Sequence, residues 1–199
     1  MIDGKIPAEE FNAAPVLEFN GNIVVINNET QAEAAAQAMR LSGRPIGFDT
    51  ETRPSFVKGV TYEVSLVQLS AGNTAFLFRL NKLGGFSKAL KELLEDPGVL
   101  KIGLSTRDDF RNLRRLDATF EPQNFIEIQQ LVTSYGIHEL SLSKIYACLF
   151  GKKLSKRQRL SNWEASELSS KQQVYASLDA IACVNIYEKL KTMNFNEEA

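Results

Sequence analysis

The sequence predicts an α/β domain built on a mixed sheet, and three observations carry that prediction. Short apolar, β-branched runs alternate along the chain with segments of helical spacing. Two of the strand-like runs, Val64 to Leu69 and Thr74 to Leu80, flank the turn Ala71-Gly72-Asn73, a hairpin signal that introduces antiparallel pairing. At 199 residues and 22.2 kDa the chain can bury one substantial core but is short for two ordinary domains.

In order, residues 1–21 read as an irregular lead-in and residues 22–199 as the domain. Asn22 to Ile26 is a short β-branched run, followed by an alanine-rich helix from Glu29 to Leu41 that ends near Gly43. Pro45 to Asp49 is an apolar strand that reaches a carboxylate, and the hairpin follows it. Phe86 to Glu95 has helical spacing and stops at Asp96-Pro97-Gly98; Val99 to Leu104 is strand-like. Asp108 to Leu116 forms a basic helix, Phe125 to Ile128 a short strand, and Ser141 to Phe150 an apolar helix closed by Gly151. Ser169-Ser170-Lys171-Gln172 fits a capping box and opens a last helix running to about Leu190.

Composition narrows the class further. With 44% hydrophobic and 24% charged residues, 12 Gly and 6 Pro, the chain is neither collagenous nor low-complexity nor largely disordered. It holds no apolar run of about 18 residues, and Met1 to Pro7 lacks the basic and apolar blocks of a secretory signal, so a cytoplasmic protein without a membrane partner is expected. Cys148 and Cys183 lie far apart without zinc-ligand spacing and read as reduced core residues.

The formal net charge of −1 hides an uneven distribution. Lys144 to Arg159 holds six basic residues and no acid, and Lys101 to Arg115 holds five against Asp108 and Asp109. A general polyanion binder is excluded. A local basic rim for phosphates and an ordinary solvated face both remain open for each window.

Three constellations can carry chemistry. Asp49-Thr50-Glu51 is the sole Asp-x-Glu of the chain and falls where a buried strand emerges. Side chains two apart on a strand share a side, so both carboxylates face one point and repel unless a cation sits between them. Tyr175 and Asp179, four apart in the last helix, are neighbours on one helical face, although a half-buried tyrosine beside a surface aspartate would show the same spacing. Asp109 falls in the first turn of a helix that follows a strand, where it can complement the helix dipole as well as face the strand ends.

In that order, Asp49-x-Glu51, Asp109 and Tyr175-x-x-x-Asp179 resemble the tyrosine-type branch of the DEDD 3′-to-5′ exonuclease superfamily, closest to the ribonuclease D and Werner-syndrome exonuclease group. The resemblance runs from about Asn22 to Leu190 and includes Gly47 to Phe56, Ser65 to Leu69, Leu160 to Trp163 and Gln173 to Ala176. The histidine-type branch would place His where Val174 stands, and the sole histidine, His138, receives no catalytic role. Where relatives often continue the Trp with Arg-Pro-Leu, this chain has Ser166-Glu167-Leu168.

The resemblance implies a ribonuclease-H-like fold, a mixed five-stranded sheet flanked by helices. It also implies hydrolysis of DNA or RNA from a free 3′ end. Asp49, Glu51, Asp109 and Asp179 would hold two divalent ions, and oxygen-only ligands favour Mg²⁺ or Mn²⁺. Asp49 would bridge both ions, Glu51 and Asp179 would hold the one on the nucleophile side, and Asp109 would support the other; Tyr175 would orient the attacking water. The basic windows would then steer phosphates, and Phe56 or Trp163 would stack on terminal bases. A catalytically inactive nucleic-acid-binding or scaffold module on the same fold is the alternative.

Overall fold

Six strands hydrogen-bond into one sheet in the computed structural model, which describes residues 4–193. The first three residues of the lead-in and the last six of the expected domain lie outside the described residues. The strands are β1 (Asn22–Ile26), β2 (Ile46–Thr52), β3 (Val64–Ala71), β4 (Thr74–Arg79), β5 (Lys101–Gly103) and β6 (Phe125–Glu127), in the order β1-β4-β3-β2-β5-β6. The β2-β3 and β3-β4 pairs are antiparallel and the other three parallel, which makes the sheet mixed as expected. The sixth strand beyond the implied five is β1, whose register Asn22↔Thr74 to Ile26↔Phe78 adds it along the β4 edge.

The helices are α1 (Ala8–Ala13), α2 (Glu29–Ser42), α3 (Leu80–Leu83), α4 (Lys88–Leu94), α5 (Thr106–Leu116), α6 (Ile128–Thr133), α7 (Leu142–Phe150) and α8 (Ser170–Thr192). Local chemistry sets their ends. The Asn28 side chain accepts from the Gln31 amide at the start of α2, and Gly43, at φ +59°, takes the left-handed turn that ends it. Ser169 and Gln172 form the anticipated capping box of α8. Among the described residues no helix is long and apolar enough to cross a membrane.

The period of two along the central strands sorts their side chains between layers. Ile46 and Phe48 of β2, with Val67 and Leu69 of β3, join Ala32, Ala36 and Leu90 in the core that α2 and α4 cover. Ile102 of β5 joins the core beneath α6, α7 and α8. Leu66 and Leu77 form a third cluster with Leu168, Ala176 and Trp163, the last fully buried. Gly47 belongs to the α8 side of β2, where a Cβ would stand 1.9 Å from the carbonyl oxygen of Ala180. Only a residue without a side chain lets α8 lie this close to the sheet.

Two expectations need correction. β2 does not end at Asp49 but continues to Thr52, because its partner β3 extends alongside it to the pairing Thr52↔Val64. The lead-in is not irregular: it forms α1 and makes two isolated parallel bridges, Gly4↔Ile137 and Val16↔Lys153.

Candidate active site

The extension of β2 decides the geometry of the site. Because Asp49, Thr50 and Glu51 all lie within the strand, Asp49 and Glu51 follow Gly47 onto the α8 side while Thr50 points the other way. The close approach at Gly47 brings Ala180, and with it Asp179, against the same strand. One carboxylate oxygen each of Asp49, Glu51 and Asp179 lie within 4.8 Å of one another, a group that could hold a metal ion. Asp109 is not in that trio. It arrives on α5 from the other side of β2 and accepts a short hydrogen bond from the Thr50 hydroxyl, so it stands at the edge of the cluster.

Burial and mutual repulsion dominate the electrostatics. Asp49 is pushed well above the ordinary carboxylate range by burial first, then by Asp179, Asp109 and Glu51. Burial, then Asp179 and Asp109, raise Glu51 to about 9 against a smaller opposing pull from Arg159. Asp109 and Asp179 both rise to about 7 through burial, opposed by hydrogen bonds from Thr50 and Tyr175 respectively. The Tyr175 hydroxyl is raised as well, by burial, then Asp179, Glu51 and Asp49, so it stays protonated and donates to Asp179. Each acid thus resists ionising while its neighbours are charged, and its oxygens form a hard, oxygen-only donor set suited to a small divalent cation.

Residues without an assigned role in the sequence reading hold this arrangement. Gln68, paired with Asp49 across β2-β3, donates through Nε2 to Asp49 Oδ2 at 3.5 Å. The Glu127 carboxylate, at the end of β6, accepts from the Ser105 and Thr106 amides at 2.8 and 2.9 Å and from Thr106 Oγ1 at 3.0 Å. It therefore anchors the start of α5, where Ser105 adopts φ +60°, and sets the approach of Asp109. Both had a sequence signal: a glutamine inside the apolar run VSLVQLS, and an acid where a strand meets a helix.

The basic windows behave differently from each other. Lys156 and Arg159 line the cleft that holds Asp49, Tyr175 and Asp179, whereas Lys101 is fully buried with its Nζ donating to the Asp96 carbonyl at 2.7 Å. Lys101 is thus corrected from a phosphate-steering residue to a core cation. Trp163 is corrected likewise, since it is fully buried, its ring 6.0 Å from that of Tyr175, and cannot stack on a base. Phe56 remains 81% exposed on the loop after β2. The segment that departs from the Arg-Pro-Leu pattern is pinned by Arg79, which donates to the Ser166 carbonyl at 2.9 Å and to that of Ala165. His138 is exposed and its amide bonds to Gly4, away from the cluster.

A mixed sheet whose central strand presents two acids to a tyrosine and aspartate on the covering helix defines an exonuclease-type domain. The family model for 3′-5′ exonucleases matches residues 23–194, and the chain belongs to that family. The ribonuclease D and Werner-syndrome resemblance is borne out among its relatives. The chain is 32% identical over 185 residues to the bifunctional 3′-5′ exonuclease/ATP-dependent helicase WRN of Mus musculus, covering 88% of this chain and 13% of that protein. It is 30% identical over 195 residues to a 3′-5′ exonuclease of Arabidopsis thaliana, covering 90% of this chain and 67% of the relative. The structure of Escherichia coli RNase D, described as an exoribonuclease, superposes with a TM-score of 0.74 at 23% identity over 85% of this chain and 44% of that one, a likeness of fold.

Proposed function

We propose that this chain hydrolyses the terminal phosphodiester bond of DNA or RNA from a free 3′ end, using two divalent ions, Mg²⁺ or Mn²⁺. The observation that carries the reading is the trio Asp49, Glu51 and Asp179, with oxygens within 4.8 Å of one another, two of which, Asp49 and Asp179, line a cleft. Three carboxylates held that close at such burial are strongly unfavourable without compensating positive charge. The donor set fits hard divalent ions, with Asp49, Glu51 and Asp179 closest together and Asp109 reaching the cluster from its edge. When bound, such ions neutralise the acids and supply Lewis-acid stabilisation to the phosphate and the departing 3′ oxygen.

The chain's own residues orient the reaction. Tyr175 keeps its proton and commits it to Asp179, so its oxygen is available to accept a hydrogen bond from the attacking water and turn that water toward phosphorus. Lys156 and Arg159, on the cleft wall, offset the repulsion between substrate phosphates and the acids. Asp109, tied to Thr50 and set by the Glu127 anchor, would help hold a second cation.

The test is incubation of 5′-labelled DNA and RNA oligonucleotides with the protein and Mn²⁺ or Mg²⁺. A ladder shortening from the 3′ end is expected, lost in Asp49→Ala. Folded wild-type protein that retains nucleic acid yet produces no ladder with either ion would establish the scaffold alternative instead.

A further inference from the structure

The cleft with the acids is not the largest cavity beside Tyr175 and Asp179. Leu154, Ser155, Tyr175 and Asp179 border two cavities. One, about 170 Å³, contains Asp49 with Lys156 and Arg159 on its wall. The other, about 380 Å³, is walled by Val174 and Leu178 from α8 and by Val16 and Leu17 from the lead-in, with Arg157 and Lys171 also lining it. The basic segment thus sends Lys156 and Arg159 to one cavity and Arg157 to the other. The second lies in the size range of small-ligand clefts, roughly 300–1,000 Å³, and the first falls below it.

The outer wall is a built feature. Lys153 closes the end of α1, its Nζ donating to the carbonyls of Phe11 at 3.2 Å and Asn12 at 2.5 Å. Its backbone then clamps the lead-in on both sides of Val16: the Lys153 amide donates to Pro15 at 2.9 Å, and the Leu17 amide donates to Lys153 at 2.8 Å. Val16 and Leu17 lie before the residues, 23–194, that match the exonuclease family model. Arg157 and Lys171 are exposed, and neither takes part in an ion pair among the described residues.

We propose that this groove seats a nucleobase of the substrate strand immediately beside the scissile phosphate, with the lead-in as one wall; the inference rests on the exonuclease reading above. Apolar walls accept the faces of a base, unpaired cations accept the phosphates that flank it, and the shared border at Tyr175 and Asp179 puts the base next to the bond to be cut. The lead-in thereby becomes part of substrate recognition, and its role is to make the exonuclease sensitive to whether the strand end carries a base.

The experiment compares wild-type kinetics on a single-stranded oligonucleotide with those on two versions, one abasic at the 3′-terminal position and one abasic at the penultimate position. A rise in KM of about tenfold is expected for one of the two abasic strands. Val174→Trp, which fills the groove, and the pair Val16→Ser with Leu17→Ser, which strips its outer wall, are each expected to raise KM on the normal strand while leaving KM on the affected abasic strand unchanged. Circular dichroism confirms folding of each variant, and the wild-type substrate comparison stands even where a variant fails to fold. Equal KM on all three strands, or retained discrimination in both folded variants, overturns the proposal while leaving the exonuclease reading intact. Absence of any shortening by folded wild type overturns both.

Discussion

Two segments of similar composition, Lys101 to Arg115 and Lys144 to Arg159, meet opposite fates. In the first, Lys101 disappears into the core over the Phe125 ring, Arg114 is spent on the Phe120 carbonyl at 3.1 Å, and Arg111 pairs with Asp108 at 3.0 Å one turn away. In the second, Lys144 pairs with Glu139 and Lys153 holds the lead-in, yet Lys156, Arg157 and Arg159 all line the cavities around Tyr175. The difference is the backbone beneath them. The strand and the helix hold Lys101, Arg111 and Arg114 against local carbonyls and an acid, leaving only Arg107 and Arg115 exposed without an ion pair among the described residues, whereas three cations of the irregular stretch between α7 and α8 line the two cavities. A count of basic residues therefore says little about field until their partners are known.

The contrast can be broken most severely by removing what the second segment serves. Asp179→Ala is expected to lower kcat/KM by about a thousandfold or more, measured on a labelled oligonucleotide, with no loss of thermal stability because a repelling charge leaves a buried cluster. Next comes the rim itself. The double change Lys156→Ala and Arg159→Ala is expected to raise KM about tenfold and to flatten the dependence of log affinity on log salt by roughly 0.7 per charge on single strands, while Arg111→Ala moves neither.

The first segment gives the reciprocal result. Lys101→Ala empties a fully buried position and is expected to cost about 2–4 kcal/mol in denaturant unfolding, with KM unchanged in the folded fraction. A pH trend follows from the acids themselves. Carboxylates raised in the folded state bind protons that the unfolded chain has released. Metal-free protein should therefore lose stability as pH climbs from the ordinary carboxylate range through about 7, for Asp109 and Asp179, and on to about 9, for Glu51. Melting curves with and without Mn²⁺ should diverge over the same interval, since a cation removes the repulsion.

Much of this was legible in the chain because its signals are local. The hairpin around Gly72, the capping box at Ser169 and the left-handed stop at Gly43 depend on neighbouring residues only, and each formed where it was expected. The convergence of Asp49, Glu51 and Asp179 was anticipated from spacing together with the resemblance. What escaped depends on residues distant in sequence. The burial of Lys101 follows from the strands on either side of it, Trp163 is covered by Leu66 and Leu77, and the strand continues past Asp49 only because β3 is there to pair with it. The lead-in reads as irregular because α1 spans only six residues and its last carbonyls are met by Lys153, 141 and 142 positions away.

Gly47 bears on how far this arrangement could drift. A methyl group there would collide with the Ala180 carbonyl, and relief would require the long helix to lift away from the strand, carrying Asp179 with it. The separation between the two halves of the acidic pocket is thus gauged by a hydrogen atom two positions before Asp49. Any redesign of the width of this pocket begins at that spacer and leaves every charged residue in place.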